Sequence, residues 1–232
     1  MINSTRRKGF SLYFKGSGNK YIEIFDDVIS YNFKTIKVLR NIDDTKVSLI
    51  ETKYGRYVLK IFSPKNKKYE RFFKSFIKGD YYKNLILQTD RVRAAGITFP
   101  NDFYLLAERK IFNYASLFIM LIEYVEGTEL NDLPLVTDAI KTEIKTSMEQ
   151  LHAAGMLSGD PHKGNFIVSP NGVRIIDLSG KHCNAQRMAQ DRMAMARHLG
   201  IENEIKDIGY YTVVYKNKLR NFIKKLKGKK TK

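Results

Sequence analysis

The sequence predicts an α+β protein. Strand-like patterning dominates its first half, a strongly amphipathic helix opens its second, and the change falls near Glu123–Thr128. At 232 residues the chain can form one large domain or two lobes around a cleft. We place the two lobes at residues 1–122 and 123–232, with the connecting hinge at the start of the second.

Three β-rich runs come first: Tyr31–Arg40, Lys46–Thr52 and Arg56–Phe62. Lys53-Tyr54-Gly55 reads as a tight hairpin turn, and the polar Asn41–Thr45 segment joins the first two strands. Pro64–Lys68 breaks the pattern. Tyr69–Ala95 is expected to be one long helix whose uneven apolar face carries Phe72, Phe73, Phe76, Tyr81, Leu85 and Leu87, ended by Gly96. After the Pro100-Asn101-Asp102 loop, Phe103–Leu106 and Ser116–Tyr124 read as two further strands. The first half is therefore an antiparallel sheet carrying one helix.

Thr137–Ala154 repeats Ala139, Ile140, Ile144, Met148 and Leu151 at three- and four-residue steps, with Gly155 as its stop. Two short apolar runs, Phe166–Val168 and Val173–Leu178, flank the turn Ser169-Pro170-Asn171-Gly172. Ala185–Leu199 is a helix rich in Met and Ala, and Tyr211–Lys230 has the pattern of another.

A net charge of +17 argues for a polyanionic partner, whether nucleic acid, anionic lipid or phosphorylated glycan. Nine basic residues and no acidic one lie between Lys216 and Lys232. Cys183 is the single cysteine, so no internal disulfide forms and a reducing compartment is expected. Met1–Phe10 has no following run of signal-peptide length. Ile111–Val125, interrupted by Asn113, Ser116 and Glu123, is too short and polar to span a bilayer. A cytosolic location is expected.

The chemistry concentrates in Gly159-Asp160-Pro161-His162-Lys163-Gly164-Asn165, followed by the hairpin and Ile175-Ile176-Asp177. An Asp, an Asn five residues on, an apolar hairpin and a second Asp resemble the catalytic loop of the protein-kinase-like phosphotransferases, especially their small-molecule branch. Phosphoryl transfer needs positioning and charge neutralisation more than covalent chemistry. Asp160 would sit beside the attacking hydroxyl, and Asn165 and Asp177 would hold Mg²⁺ against the phosphates of ATP. The alternative is that these are ordinary turn residues at a helix–hairpin junction.

The resemblance implies a two-lobed fold, with an antiparallel-sheet N-lobe and a compact helical C-lobe. It implies that Lys60, in Tyr57-Val58-Leu59-Lys60-Ile61, contacts the α- and β-phosphates. Backbone groups of Glu123 and Val125 would meet the adenine edge with Ile122 behind it, unless this is simply an edge strand leaving the sheet. The chain departs from the pattern in three places. The partner of Lys60 is Asp80 by spacing or Glu70 by chemistry, and Asp80 is favoured. The Asn41–Thr45 loop has no glycine. Asp177-Leu178-Ser179 carries Gly180 one place late, and no Ala-Pro-Glu segment follows, which argues against a regulated protein kinase. His162 would brace the loop. Asp191 would either bind loop amides or be an exposed helical residue.

End to end, the chain is similar to the lipopolysaccharide core heptose kinases of Gram-negative bacteria, the inner-core heptose(II) kinases above all. That resemblance implies phosphate transfer from ATP to a heptose hydroxyl on core–lipid A at the cytoplasmic face of the inner membrane. A +17 enzyme would be steered to that face, and Leu219, Phe222, Ile223 and Leu226 have the spacing of a helix lying in a membrane surface. Another small-molecule kinase and a nucleotide-binding pseudokinase scaffold are the alternatives. Nucleic acid is not expected as a partner, since only charge supports it.

Overall fold

The structure is a computed structural model that describes residues 1–64, 81–111 and 114–226. It divides into two compact units, Met1–Glu126 and Gly127–Lys232.

The first unit is built on a seven-stranded sheet of order β1-β2-β6-β7-β5-β4-β3, antiparallel at every pairing. Strands β1 (Ile2–Arg7) and β2 (Phe10–Lys15) form a hairpin that the sequence reading did not anticipate. Its two-residue turn places Lys8 at φ 48° and Gly9 at φ 78°, the left-handed pair whose twist matches the flanking strands. The short helix α1 (Lys20–Ile29) follows. Then come β3 (Lys34–Ile42), β4 (Thr45–Thr52) and β5 (Gly55–Phe62), joined by two-residue turns at Asp43-Asp44 and Lys53-Tyr54. Helix α2 (Tyr81–Ala94) leads to β6 (Phe103–Ile111) and β7 (Tyr114–Glu123). The expected helix from Tyr69 is thus seen from Tyr81 onward; its earlier part, with Glu70 and Asp80, lies outside the described residues.

Strand alternation assigns the two helices to opposite faces. Phe10, Leu12 and Phe14 of β2, with Leu59, Leu105, Ala107, Ile119 and Leu121, form one core with Ile24, Phe25 and Val28 of α1. The Phe10 and Phe25 rings meet edge-on at 5.4 Å. The intervening residues of β2 face α2: the Lys83 ammonium lies 4.9 Å from the Tyr13 ring centroid, and Lys15 Nζ is 3.7 Å from Asp90. Burying a side chain such as Phe25 contributes about 1.5–3 kcal/mol. The unit is therefore a three-layer sandwich, with two helices on the sheet among the described residues where one was expected.

The second unit holds β8 (Thr128–Glu129), α3 (Asp138–Ala153), a 3₁₀ turn (Lys163–Asn165), β9 (Phe166–Ser169) and β10 (Gly172–Ile175). Helices α4 (Ala185–Leu199) and α5 (Ile208–Leu226) follow. Thr137 caps α3 by accepting from the Ile140 amide at 3.4 Å, and Ile144, Met148 and Leu151 are its buried stripe. The small sheet runs β10-β9-β8. Glu143 of α3 accepts from the Val173 amide at 2.6 Å, pinning the β9–β10 hairpin to the helix.

Candidate active site

The chain leaving α3 turns at Gly155 and enters the loop that carries Asp160. Two devices fix that loop. Asp191 of α4, only 2% exposed, accepts from the Ser158 amide and the Gly159 amide at 3.0 Å each, and its Oδ2 lies 3.2 Å from His152 Nε2. A carboxylate only accepts, so Nε2 carries the hydrogen. The alternative of an exposed helical aspartate does not hold for Asp191. The second device is steric. Gly159 sits at φ 85°, and a Cβ there would lie 2.6 Å from Cβ of Ser179. Glycine alone lets the loop lie this close to the segment after β10, where the Ser179 amide donates to the Leu157 carbonyl at 3.1 Å.

Beyond Gly159 the backbone folds on itself. The His162 amide donates to the Asp160 carbonyl at 3.0 Å, and the Asn165 amide to the His162 carbonyl at 2.9 Å. His162 Nδ1 accepts from the Gly164 amide at 3.1 Å, so the ring caps the 3₁₀ turn and braces the loop. Its other nitrogen lies 3.7 Å from Asp160 Oδ2. The Asp160 side chain is 73% exposed, within reach of an incoming molecule.

Asn165 is buried, and its Nδ2 donates to the Asp160 carbonyl at 2.8 Å. With the nitrogen so engaged, Oδ1 is the end left to meet a cation. The Ile176 amide donates to the Asn165 carbonyl at 2.9 Å and brings the next residue, Asp177, back beside the loop. Asp177 is exposed and adopts φ 53°, a left-handed conformation that Asp tolerates better than most residues. The second unit therefore gathers Asp160, Asn165 and Asp177 within one loop and the turn bonded to it. An amide oxygen and a carboxylate are hard oxygen donors of the kind Mg²⁺ accepts, with water and phosphate completing its shell. Among the described residues no cluster of three or more His, Cys, Asp or Glu could hold a metal by itself.

In the first unit, Lys60 stands on β5 opposite Val47 and Met120. It shares the α2 face with Phe62, whose ring stacks 5.8 Å from Phe118 and meets Tyr82 of α2 at 6.1 Å. The start of α2 is thereby fixed on the face that carries Lys60.

Glu123 ends β7. Its amide donates to the Asp102 carbonyl at 2.9 Å, and its Oε2 accepts from the Asp102 amide at 2.8 Å. Asp102, 5% exposed, in turn accepts from Lys15 Nζ at 2.7 Å, with Arg93 Nε at 3.8 Å. Burial pushes the neighbouring Tyr21 phenol up to about 12, with Tyr57 and Asp102 adding to it; burial, Glu123 and Asp102 hold Tyr104 higher still. Val125 is buried two residues on. Sequence reading missed the clamp of Lys15 and Asp102 on Glu123. The alternation Phe10, Leu12, Phe14, which turns Lys15 to the other face, is the signal that could have revealed it.

By class, then, this is an α+β chain whose second unit presents two carboxylates and an amide from a helix-anchored loop and hairpin. It belongs to the WaaY family of lipopolysaccharide core biosynthesis proteins, whose family model matches residues 1–229. A lipopolysaccharide core heptose(II) kinase WaaY of Escherichia coli is 73% identical over 229 residues, covering 99% of this chain and 100% of that protein. Its namesake from Escherichia coli strain K12 is 53% identical over 229 residues, covering 99% of both chains. Among solved structures, the kinase domain of Mycobacterium tuberculosis PknI superposes with a TM-score of 0.42 at 14% identity, covering 76% of this chain and 77% of that one.

Proposed function

We propose that the chain is a kinase that transfers the γ-phosphate of ATP to a heptose hydroxyl of the lipopolysaccharide inner core. The observation that carries this reading is the loop in which Asn165 is bonded to Asp160 and to Ile176, the residue before Asp177, in a chain whose full-length relatives are named heptose(II) kinases.

Asp160 accepts the proton of the attacking hydroxyl. The hydroxyl oxygen bonds to the γ-phosphorus, the bond to the β–γ bridging oxygen breaks, and ADP leaves. Asn165 Oδ1 and the Asp177 carboxylate would hold Mg²⁺, which would neutralise charge on the phosphate oxygens. Lys60 contacts the α- and β-phosphates, with Asp80 as its ion partner. The Glu123 carbonyl and Val125 amide meet the adenine edge, in the segment that joins the two lobes. The acceptor is core–lipid A, met at the cytoplasmic face of the inner membrane, where the basic tail is drawn to the anionic surface. No helix among the described residues is long and apolar enough to cross a membrane.

One observation favours a nucleotide-binding scaffold without turnover. The glycine-free β3–β4 tip is closed by a two-residue turn and tied down by the Ser63 amide, which donates to the Asp44 carbonyl at 2.8 Å. Incubation with ATP, Mg²⁺ and purified core glycolipid separates the two readings. We expect phosphate on the sugar, and Asp160→Asn should abolish turnover while nucleotide binding persists. Nucleotide binding by the wild type with no transfer would establish the scaffold instead.

A further inference from the structure

Helix α5 carries two apolar features on roughly opposite sides. Gly209 and Val213 are buried where α5 packs on α4, and Gly209 has no room for a Cβ against the Ala185 backbone. The other side is a stripe of Ile208, Tyr211, Tyr215, Leu219, Phe222 and Leu226, at steps of three and four residues and between 48% and 79% exposed. At 3.6 residues per turn the stripe spans about 80° of the helix circumference. Lys216, Lys218, Arg220, Lys224 and Lys225 all fall outside that arc. Every residue from Tyr215 to Leu226 is exposed, so this stretch has no packing partner of its own. A helical segment of that length is marginal in water without one.

We infer that α5 lies in an anionic bilayer surface, its stripe seated among headgroups and upper acyl chains and its cations on lipid phosphates. The inference deepens the membrane contact proposed above and rests on that reading. It adds insertion to electrostatic attraction, and it extends the contact upstream of the lysine-rich end to Ile208 and the two tyrosines, a residue type suited to that interface. Charge selects the occupant. A second copy of the helix would set five cations against five across the seam. Nucleic acid would satisfy the cations and leave the apolar stripe in water. A lipid surface with anionic headgroups takes both.

The chain has no tryptophan, so Phe222→Trp in the full-length protein is a single reporter. With vesicles of mixed phosphatidylglycerol and phosphatidylcholine, its emission should shift to the blue and be quenched by lipids brominated on the acyl chain. Sedimentation with the same vesicles should weaken about tenfold in the double variant Leu219→Ser, Phe222→Ser. Replacing one cation with alanine should cost about fivefold, an effect that fades at high salt. Reporter emission unchanged by vesicles, or binding wholly abolished by salt, would overturn insertion. So would a lipid-free dimer, by analytical ultracentrifugation, that the double serine variant disrupts. Phosphorylation of a soluble, deacylated core oligosaccharide by the wild type separates this inference from the kinase reading. Turnover on the soluble acceptor without vesicle insertion sinks the helix proposal alone, and no turnover on any acceptor sinks the kinase reading.

Discussion

Replacing Asp191 by asparagine exchanges one of two oxygens that together receive Ser158, Gly159 and His152. The least costly orientation keeps the amide oxygen against Ser158 and His152. The new NH₂ group then confronts the Gly159 amide, donor against donor. Gly159 has little room to turn away, because Ser179 lies against it. A buried donor without an acceptor costs about 1–3 kcal/mol, and loss of the charge weakens the two surviving bonds by about 1 kcal/mol each. The sum is about 3–5 kcal/mol, a large share of what holds a domain of this size together. In urea, followed by circular dichroism, the midpoint should fall by about 2 M for a slope of about 2 kcal/mol/M. Where two transitions resolve, the one belonging to Gly127–Lys232 moves. A loss under about 0.5 kcal/mol would refute the claim that this carboxylate holds the loop.

Four other outcomes are expected. Asp177→Asn, which keeps a residue tolerant of φ 53°, should abolish turnover with stability unchanged within about 0.5 kcal/mol, whereas Asp177→Ala adds a strain cost of about 1 kcal/mol in thermal melts. Gly159→Ala should destabilise by about 2–4 kcal/mol, since it combines an unfavourable φ with a clash at Ser179. Lys15→Met should raise KM for ATP several-fold more than it lowers kcat, by loosening Asp102 under Glu123, and Lys15→Arg should restore it; an unchanged KM would leave Lys15 a packing residue. The hydrogen bond and charge of Arg7 hold the Asp26 carboxyl below its usual range, aided by Lys8. Because that folded pKa is depressed, its stabilisation is present above about pH 4 and is lost as pH falls through the folded value. Asp26→Asn should therefore cost about 0.2–1 kcal/mol at neutral pH, and the gap should close in acid.

Strong local signals were legible in the sequence. The periodic stripe Ile144, Met148, Leu151 marks α3, and Ala185–Leu199 emerges with the boundaries its pattern implies, capped by Asn184. The spacing of Asp160, Asn165 and Asp177 survives folding because the connections between them are short and local. What escaped depends on contacts across long sequence separations. Lys15 and Asp102 are 87 residues apart, and nothing local marks either as a partner of the other. Asp191 did not escape: binding the loop amides was one of its two open readings, and because it lies 33 residues beyond Ser158 only the packing of α4 decides between them. The first hairpin hid for a different reason: Ile2–Arg7 is polar and exposed from Ser4 onward, an edge strand without an apolar face to announce it.

The tip at Asp43-Asp44 has a kinetic consequence. Its ladder is paired as far as Ile42 and Thr45, and Ser63 buttons it to the end of β5. A hinged flap stores an open and a closed state, and guests come and go at the pace of that switch. Fastening the tip this way works against such a switch, so a guest beneath it should arrive and depart in single exponential phases.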